Sequence, residues 1–199
     1  MNLIWSCSKI DFSSERPEII EMYKDYAQYE RLIKGMPMMQ QKSLVILIWT
    51  YTRDMRLMAD ENCKHFVEKA VDAMLQYQTQ SLVVDNFDLL LLAQSVTHIK
   101  DDEPSQNILS KLIQLAKQLD AYALKNIDRM SVHEFVSISS FYLGLLSDGV
   151  CSKALAEAFL SKIQDSVTEF NELQLVILKT TLEQAFVKER SSFSSDVEA

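Results

Sequence analysis

Two seven-residue segments share one pattern. Leu3-Ile4-Trp5-Ser6-Cys7-Ser8-Lys9 and Leu47-Ile48-Trp49-Thr50-Tyr51-Thr52-Arg53 each read Leu-Ile-Trp, hydroxyl, variable residue, hydroxyl, base, and their tryptophans lie 44 residues apart. They hold both tryptophans of the chain. A segment this apolar, repeated at this distance, must bury itself against neighbours of its own kind, which is the constraint under which helical repeats stack.

The chain is free to be helical almost throughout. Its 199 residues hold three glycines and three prolines, too few punctuators for a fold built on tight turns. Apolar residues at helical spacing predict nine helices. The first runs from Asn2 to Ile10. The second starts at Ser13 or Ser14 with Pro17 in its first turn, passes Ile19, Tyr23, Tyr26 and Ile33, and stops at Gly35 and Pro37. The third covers Gln41 to Met58 and is apolar nearly all round, so it is read as buried on several sides. Asp60 caps the fourth, and the fifth begins near Asp85. The sixth carries Ile108, Leu109, Leu112, Leu115, Ala116, Leu119 and Tyr122. Ser131 with Glu134 forms a capping box for the seventh. The eighth holds Leu155, Ala158, Phe159 and Ile163. Asn171 with Gln174 repeats the box before the ninth.

The odd-numbered helices align at irregular offsets of 38 to 48 residues, Leu44 with Phe87, Phe87 with Phe135 and Phe135 with Leu173. Each unit is a very apolar helix followed by an amphipathic one. The expected fold is all-α, a right-handed α-solenoid of about four and a half antiparallel helical hairpins. The alternative is a compact orthogonal bundle of nine helices. One repeat domain over residues 1–190 is expected, followed by a mobile tail over 191–199, rich in serine and acid. Trp49 is expected to lie buried between consecutive hairpins. Met1 stands four residues before Trp5, inside the repeated segment, which suggests that residues upstream are missing.

Net charge is −8, and the deficit is local: residues 1–60 carry eight bases and eight acids, residues 61–199 twelve and twenty. An acidic surface repels phosphate backbones, so RNA contact is expected only through a local basic groove. Cys7, Cys63 and Cys151 are widely spaced, with no CxxC pair, and suggest neither a disulfide framework nor zinc. No apolar run reaches the length of a membrane span.

No reaction centre is legible. Cys63 and His65 stand two apart on a helix and do not face one another, His133-Glu134 lacks the second histidine of a metalloprotease motif, and His98 reads as a surface residue. Asp101-Asp102-Glu103 and Asp85/Asp88 fit helix starts, where acids suit the dipole. No glycine-rich phosphate loop or nucleophile elbow occurs. Met36, Met38, Met39, Met55 and Met58 read as gap fillers between helices, or otherwise as an adaptable surface. Lys9 and Arg53 share a repeat position, Arg56 lies nearby, and Lys100 ends the fifth helix. Beside Trp49 and Tyr51, these four bases are the candidate RNA or partner contacts, against the simpler reading that bases suit helix C-termini.

The Leu-Ile-Trp-x-x-x-Lys/Arg pattern, in apolar helices recurring through the chain, resembles the degenerate helical-hairpin repeats of organellar RNA-associated proteins. These are the heptatricopeptide and octotricopeptide repeats and those of FAST-kinase-like proteins. Leu44 to Arg53 carries the resemblance best, Ile4 to Lys9 also, and Phe87 to Val96 more loosely. The resemblance implies a mitochondrial matrix location and work on RNA. With no RAP-type domain following, it implies no catalysis. The acidic charge departs from a free RNA-binding member and suits one embedded in a large assembly. The expectation is a non-catalytic scaffold subunit of an organellar ribonucleoprotein, a mitochondrial ribosome foremost, touching mainly protein and some rRNA. It needs no cofactor, metal, small-molecule substrate or membrane insertion. The competing expectation is a protein–protein adaptor of a respiratory or trafficking complex, without RNA and with a cytoplasmic location open to it.

Overall fold

The structure is a computed structural model and describes residues 17–77, 84–100, 105–146 and 149–195. Within them every regular element is helical: α1 Pro17–Ala27, α2 Glu30–Gly35, α3 Gln41–Thr52, α4 Met55–Met58, α5 Glu61–Leu75, α6 Asn86–Ile99, α7 Gln106–Asn126, α8 Val132–Gly144, α9 Lys153–Asp165 and α10 Glu172–Ser195. The fold is all-α. The first predicted helix, with Trp5 and Lys9, lies outside the described residues, as does Asp101-Asp102-Glu103.

Two expected helices are each divided. The second breaks near Tyr29, whose backbone is extended ahead of α2. The third ends at Thr52, because Asp54 turns extended and accepts the Arg56 N–H to start the short α4. The predicted caps are present. Asp60 accepts from Asn62 and Cys63, Ser131 and Glu134 form a reciprocal box, and Asn171 and Gln174 exchange backbone-to-side-chain bonds of 2.9 Å each. α10 continues as helix to Ser195.

The chain divides into two compact units, residues 1–115 and 116–199, with α7 contributing to both. In the first unit α3 and α5 run in opposite directions. Tyr51, near the end of α3, meets Phe66 early in α5 at 5.1 Å between ring centroids. Tyr77, after α5, donates its hydroxyl to the Met39 carbonyl ahead of α3 at 2.8 Å. α1 closes the other side, where Tyr23 sets its ring edge-on to Tyr51 and the Tyr51 hydroxyl donates to the Tyr23 carbonyl at 2.9 Å.

α3 and α6 pack side by side and run parallel. Lys42 reaches Asp85 at their N-terminal ends, and Trp49 reaches Gln94 further along. α5 and α7 are also parallel where they meet: Glu68 binds Asn107 and Lys111, and Asp72 binds Lys111 at 2.6 Å. Leu44, Leu47 and Ile48 of α3 and Leu89, Leu92 and Val96 of α6 are all buried. Thr52 and Ser95 share this interior and return their hydroxyls to carbonyls four residues back, at Ile48 and Leu91. Small hydroxyl residues thereby enter the core with their polar atoms satisfied.

In the second unit α8 packs on α10. Phe135, near the start of α8, stacks on Phe170 just ahead of α10, with centroids 5.9 Å apart. Phe159 of α9 contacts both Phe135 and Tyr142, and the Tyr142 hydroxyl donates to the Ala116 carbonyl at 2.9 Å. Burial does not follow the sequence alignment of helix starts. Leu44 and Phe135 are buried, whereas Phe87 is 39% and Leu173 is 69% exposed.

Candidate partner and RNA contact surface

The four candidate bases have different fates. Lys9 lies outside the described residues. Arg53 holds its guanidinium 4.8 Å from the centre of the Trp49 ring, a cation–π arrangement that α-helical i,i+4 spacing permits. Arg56 is fastened to Asp54, with Nε 3.0 Å from Oδ1 and a terminal nitrogen 2.7 Å from Oδ2. Burial opposes ionisation of Asp54, but the Arg56 hydrogen bonds outweigh it and hold this carboxyl below the usual carboxylate value. Arg56 therefore serves the α4 cap. Lys100 is exposed just past the end of α6.

Trp49 is half-buried rather than enclosed. It stands at the rim of the α3–α6 seam, where its indole Nε1–H donates to Gln94 Oε1 at 3.0 Å and one ring face carries Arg53. Its neighbours Leu47 and Ile48 are the residues fully enclosed here. On α6, Gln94 and His98 stand one turn apart, as Trp49 and Arg53 do on α3. Neighbouring atoms disfavour the charged form of the His98 imidazole, although part of the residue faces solvent, and the Arg53 charge adds to the effect, so its pKa is lowered.

The result is a patch of Trp49, Arg53, Gln94 and His98 across two parallel helices. It offers an aromatic edge, a cation, an amide and an imidazole whose charged form is disfavoured, groups that can meet a stacked base or a phosphate. Gln94 and His98 follow Trp49 and Arg53 by a common offset of 45 residues, the one signal by which the sequence announces them.

The methionines divide: Met36 and Met58 are buried, Met38 is 90% and Met55 50% exposed. Cys63 is buried while His65 is exposed. Among the described residues no helix is long and apolar enough to cross a membrane, and no three His, Cys, Asp or Glu side chains gather as a metal site. Compared with protein-family models, curated proteins and solved structures, the chain matches none.

Proposed function

We propose that this chain is a non-catalytic helical-repeat scaffold subunit of an organellar ribonucleoprotein, a mitochondrial ribosome foremost, in the mitochondrial matrix. Its apolar helices are the inner elements of a right-handed α-solenoid of about four and a half antiparallel hairpins. Most of its acidic surface meets protein, and RNA contact is confined to small basic patches. The observation that carries this reading is the side-by-side, parallel pairing of α3 with α6, with Trp49, Arg53, Gln94 and His98 gathered along its rim. Repeat packing supplies the scaffold, and the rim supplies a stacking and charge-bearing contact.

Ultraviolet crosslinking in cells, with identification of co-purifying proteins, tests it. The expected result is RNA crosslinked to the wild-type chain, reduced several-fold in Arg53→Ala, within a large complex. A protein-only set with no RNA crosslink would overturn the ribonucleoprotein reading. It would favour the second one, a protein–protein adaptor of a respiratory or trafficking complex. One observation already speaks for that alternative. Leu173, Val176 and Ile177 are 69%, 58% and 40% exposed on one stripe of α10, an apolar surface of the kind that protein partners cover.

A further inference from the structure

A buried carboxyl oxygen with no donor stands at the start of α6. Asp85 and Asp88 form the reciprocal cap there: the Asp88 N–H donates to Asp85 Oδ1 at 2.8 Å, and Asp88 Oδ2 accepts the Asp85 N–H at 3.1 Å. Asp88 is 2% exposed, and its Oδ1 has no hydrogen-bond partner. Lys42, the nearest cation on α3, is committed to Asp85 at 2.9 Å. Burial pushes the Asp88 carboxyl above its ordinary pKa. An orphaned buried acceptor is rare and costly, and it calls for an explanation.

A cavity of about 500 Å³ adjoins this cap. Gln40, Gln41, Tyr77, Val84, Asp85 and Asp88 line it, with Lys42. Its polar groups are two carboxyls, one with an oxygen that has no partner, two glutamine amides, the Lys42 ammonium and the Tyr77 hydroxyl. An aromatic ring forms part of the wall. Two carboxyls repel an anion, and the one ammonium group is already neutralised by Asp85. The missing complement is a cationic donor.

We propose that this cavity receives an arginine side chain of a protein partner, with the Asp88 carboxylate as its anchor. A guanidinium presents two parallel N–H groups to a carboxylate, is weakly hydrated, and stacks against an aromatic wall such as Tyr77. It brings the charge that stabilises the ionised form of Asp88, and donors for Oδ1. Gln40, exposed just ahead of α3, and Gln41, half-buried in its first turn, flank the cavity. A remaining guanidinium N–H is within the reach of the exposed Gln40 amide oxygen. The inference deepens the scaffold reading, on which it rests for the partner being a protein.

The full chain titrated with N-acetyl-L-arginine amide, followed by amide chemical shifts and calorimetry, tests the pocket. Saturable millimolar binding is expected, of the order that a small ligand's few contacts provide, with the Asp85 and Asp88 amides shifted. N-acetyl-L-lysine amide, which lacks the fork, should bind about fivefold more weakly. Asp88→Asn keeps an acceptor for the Asp85 N–H and should lose binding by about tenfold. Gln40→Trp, which fills the entrance and leaves the cap intact, should lose it too, so the test survives a folding defect in the first variant. Arg53→Ala should bind as wild type. No saturable binding, equal affinity for the two amides, or unchanged affinity in folded Asp88→Asn and Gln40→Trp would overturn the proposal. Arginine binding by a chain that recovers no large complex from cells would keep the pocket and sink the scaffold reading; the reverse result would sink the pocket alone.

Discussion

Trp49 donates its indole N–H to the Gln94 side chain 3.0 Å away, joining α3 to α6 at the rim of their shared seam. The contact is polar, half-exposed and capped on one face by Arg53. Trp49→Ala removes about half of a buried indole's area, a neutral hydrogen bond and the cation–π contact. We expect a loss of about 2–3 kcal/mol, below the 3–5 kcal/mol of a fully enclosed tryptophan. Trp49→Phe should recover more than half of it. Denaturant unfolding of the two variants measures both values, and a loss above about 4 kcal/mol would show that the ring is enclosed.

Lys111 bridges Glu68 and Asp72, at 2.7 and 2.6 Å, and ties α7 to α5. All three side chains are 25–31% exposed. Removing the ammonium leaves two carboxylates facing one another. Lys111→Ala is therefore expected to cost about 1–2 kcal/mol, more than an isolated surface pair. Lys111→Ala with Glu68→Gln should recover part of it, because the pair is coupled. Thermal melts of the double-mutant cycle check this, and strict additivity would contradict it.

Asp54 and Asp88 should respond to pH with opposite signs. The folded-state pKa of Asp54 is lowered, so its contribution is present above the unfolded value of about 3.9 and is lost as pH falls through the folded value. Asp54→Asn should then cost about 1 kcal/mol at pH 7 and progressively less in acid. The folded-state pKa of Asp88 is raised. Its favourable contribution is present below the unfolded pKa and lost as pH rises through the folded one. Asp88→Asn should be neutral to stabilising at pH 7 and lose that advantage in acid. Denaturant midpoints across pH 3.5–7 for the two variants read out the crossing; parallel curves would refute it.

Cys63 and Cys151 are buried, and burial pushes each thiol up to about 12. Thiolates are the reactive form, so neither should be modified in the native state at pH 8. A colorimetric thiol reagent should find no more than one reactive cysteine before denaturant and three after it. Two or more fast-reacting thiols in native protein would contradict the burial.

Ser131→Ala removes the side-chain acceptor for Glu134 N–H at the start of α8. The expected cost is about 1 kcal/mol, with Ser131→Asp restoring it. Equilibrium unfolding of the two variants decides.

Helix starts were legible because capping is local. Asp60, Ser131–Glu134 and Asn171–Gln174 act within three residues, and their chemistry needs no tertiary partner. The apolar character of α3 and α6 likewise announced that both would be buried. What lay beyond reach was axial stagger and rotation. Leu44 matches Phe87 in the pattern of helix starts, yet Phe87 is 39% exposed and Leu89 is buried. A shift of two residues turns a helix by more than half a circle, and composition does not encode it. The pairing of Arg56 with Asp54 was equally hidden: both are charged, two residues apart and ordinary in sequence, and only the chain turn that buries Asp54 makes one the clamp of the other. Arg53 and His98 come from segments 45 residues apart, and only the parallel packing brings them near.

That same packing bears on how the chain reaches its fold. The polar links between α3 and α6 join residues 43 and 45 positions apart, and those between α5 and α7 join residues 39 and 43 apart. Each closure spans about a fifth of the chain, so its loop-closure entropy is met before the seam rewards it. Within the first unit each link therefore joins helices that form locally beforehand. Hydrogen exchange should accordingly find the amides of α3 and α6 among the last of the first unit to open.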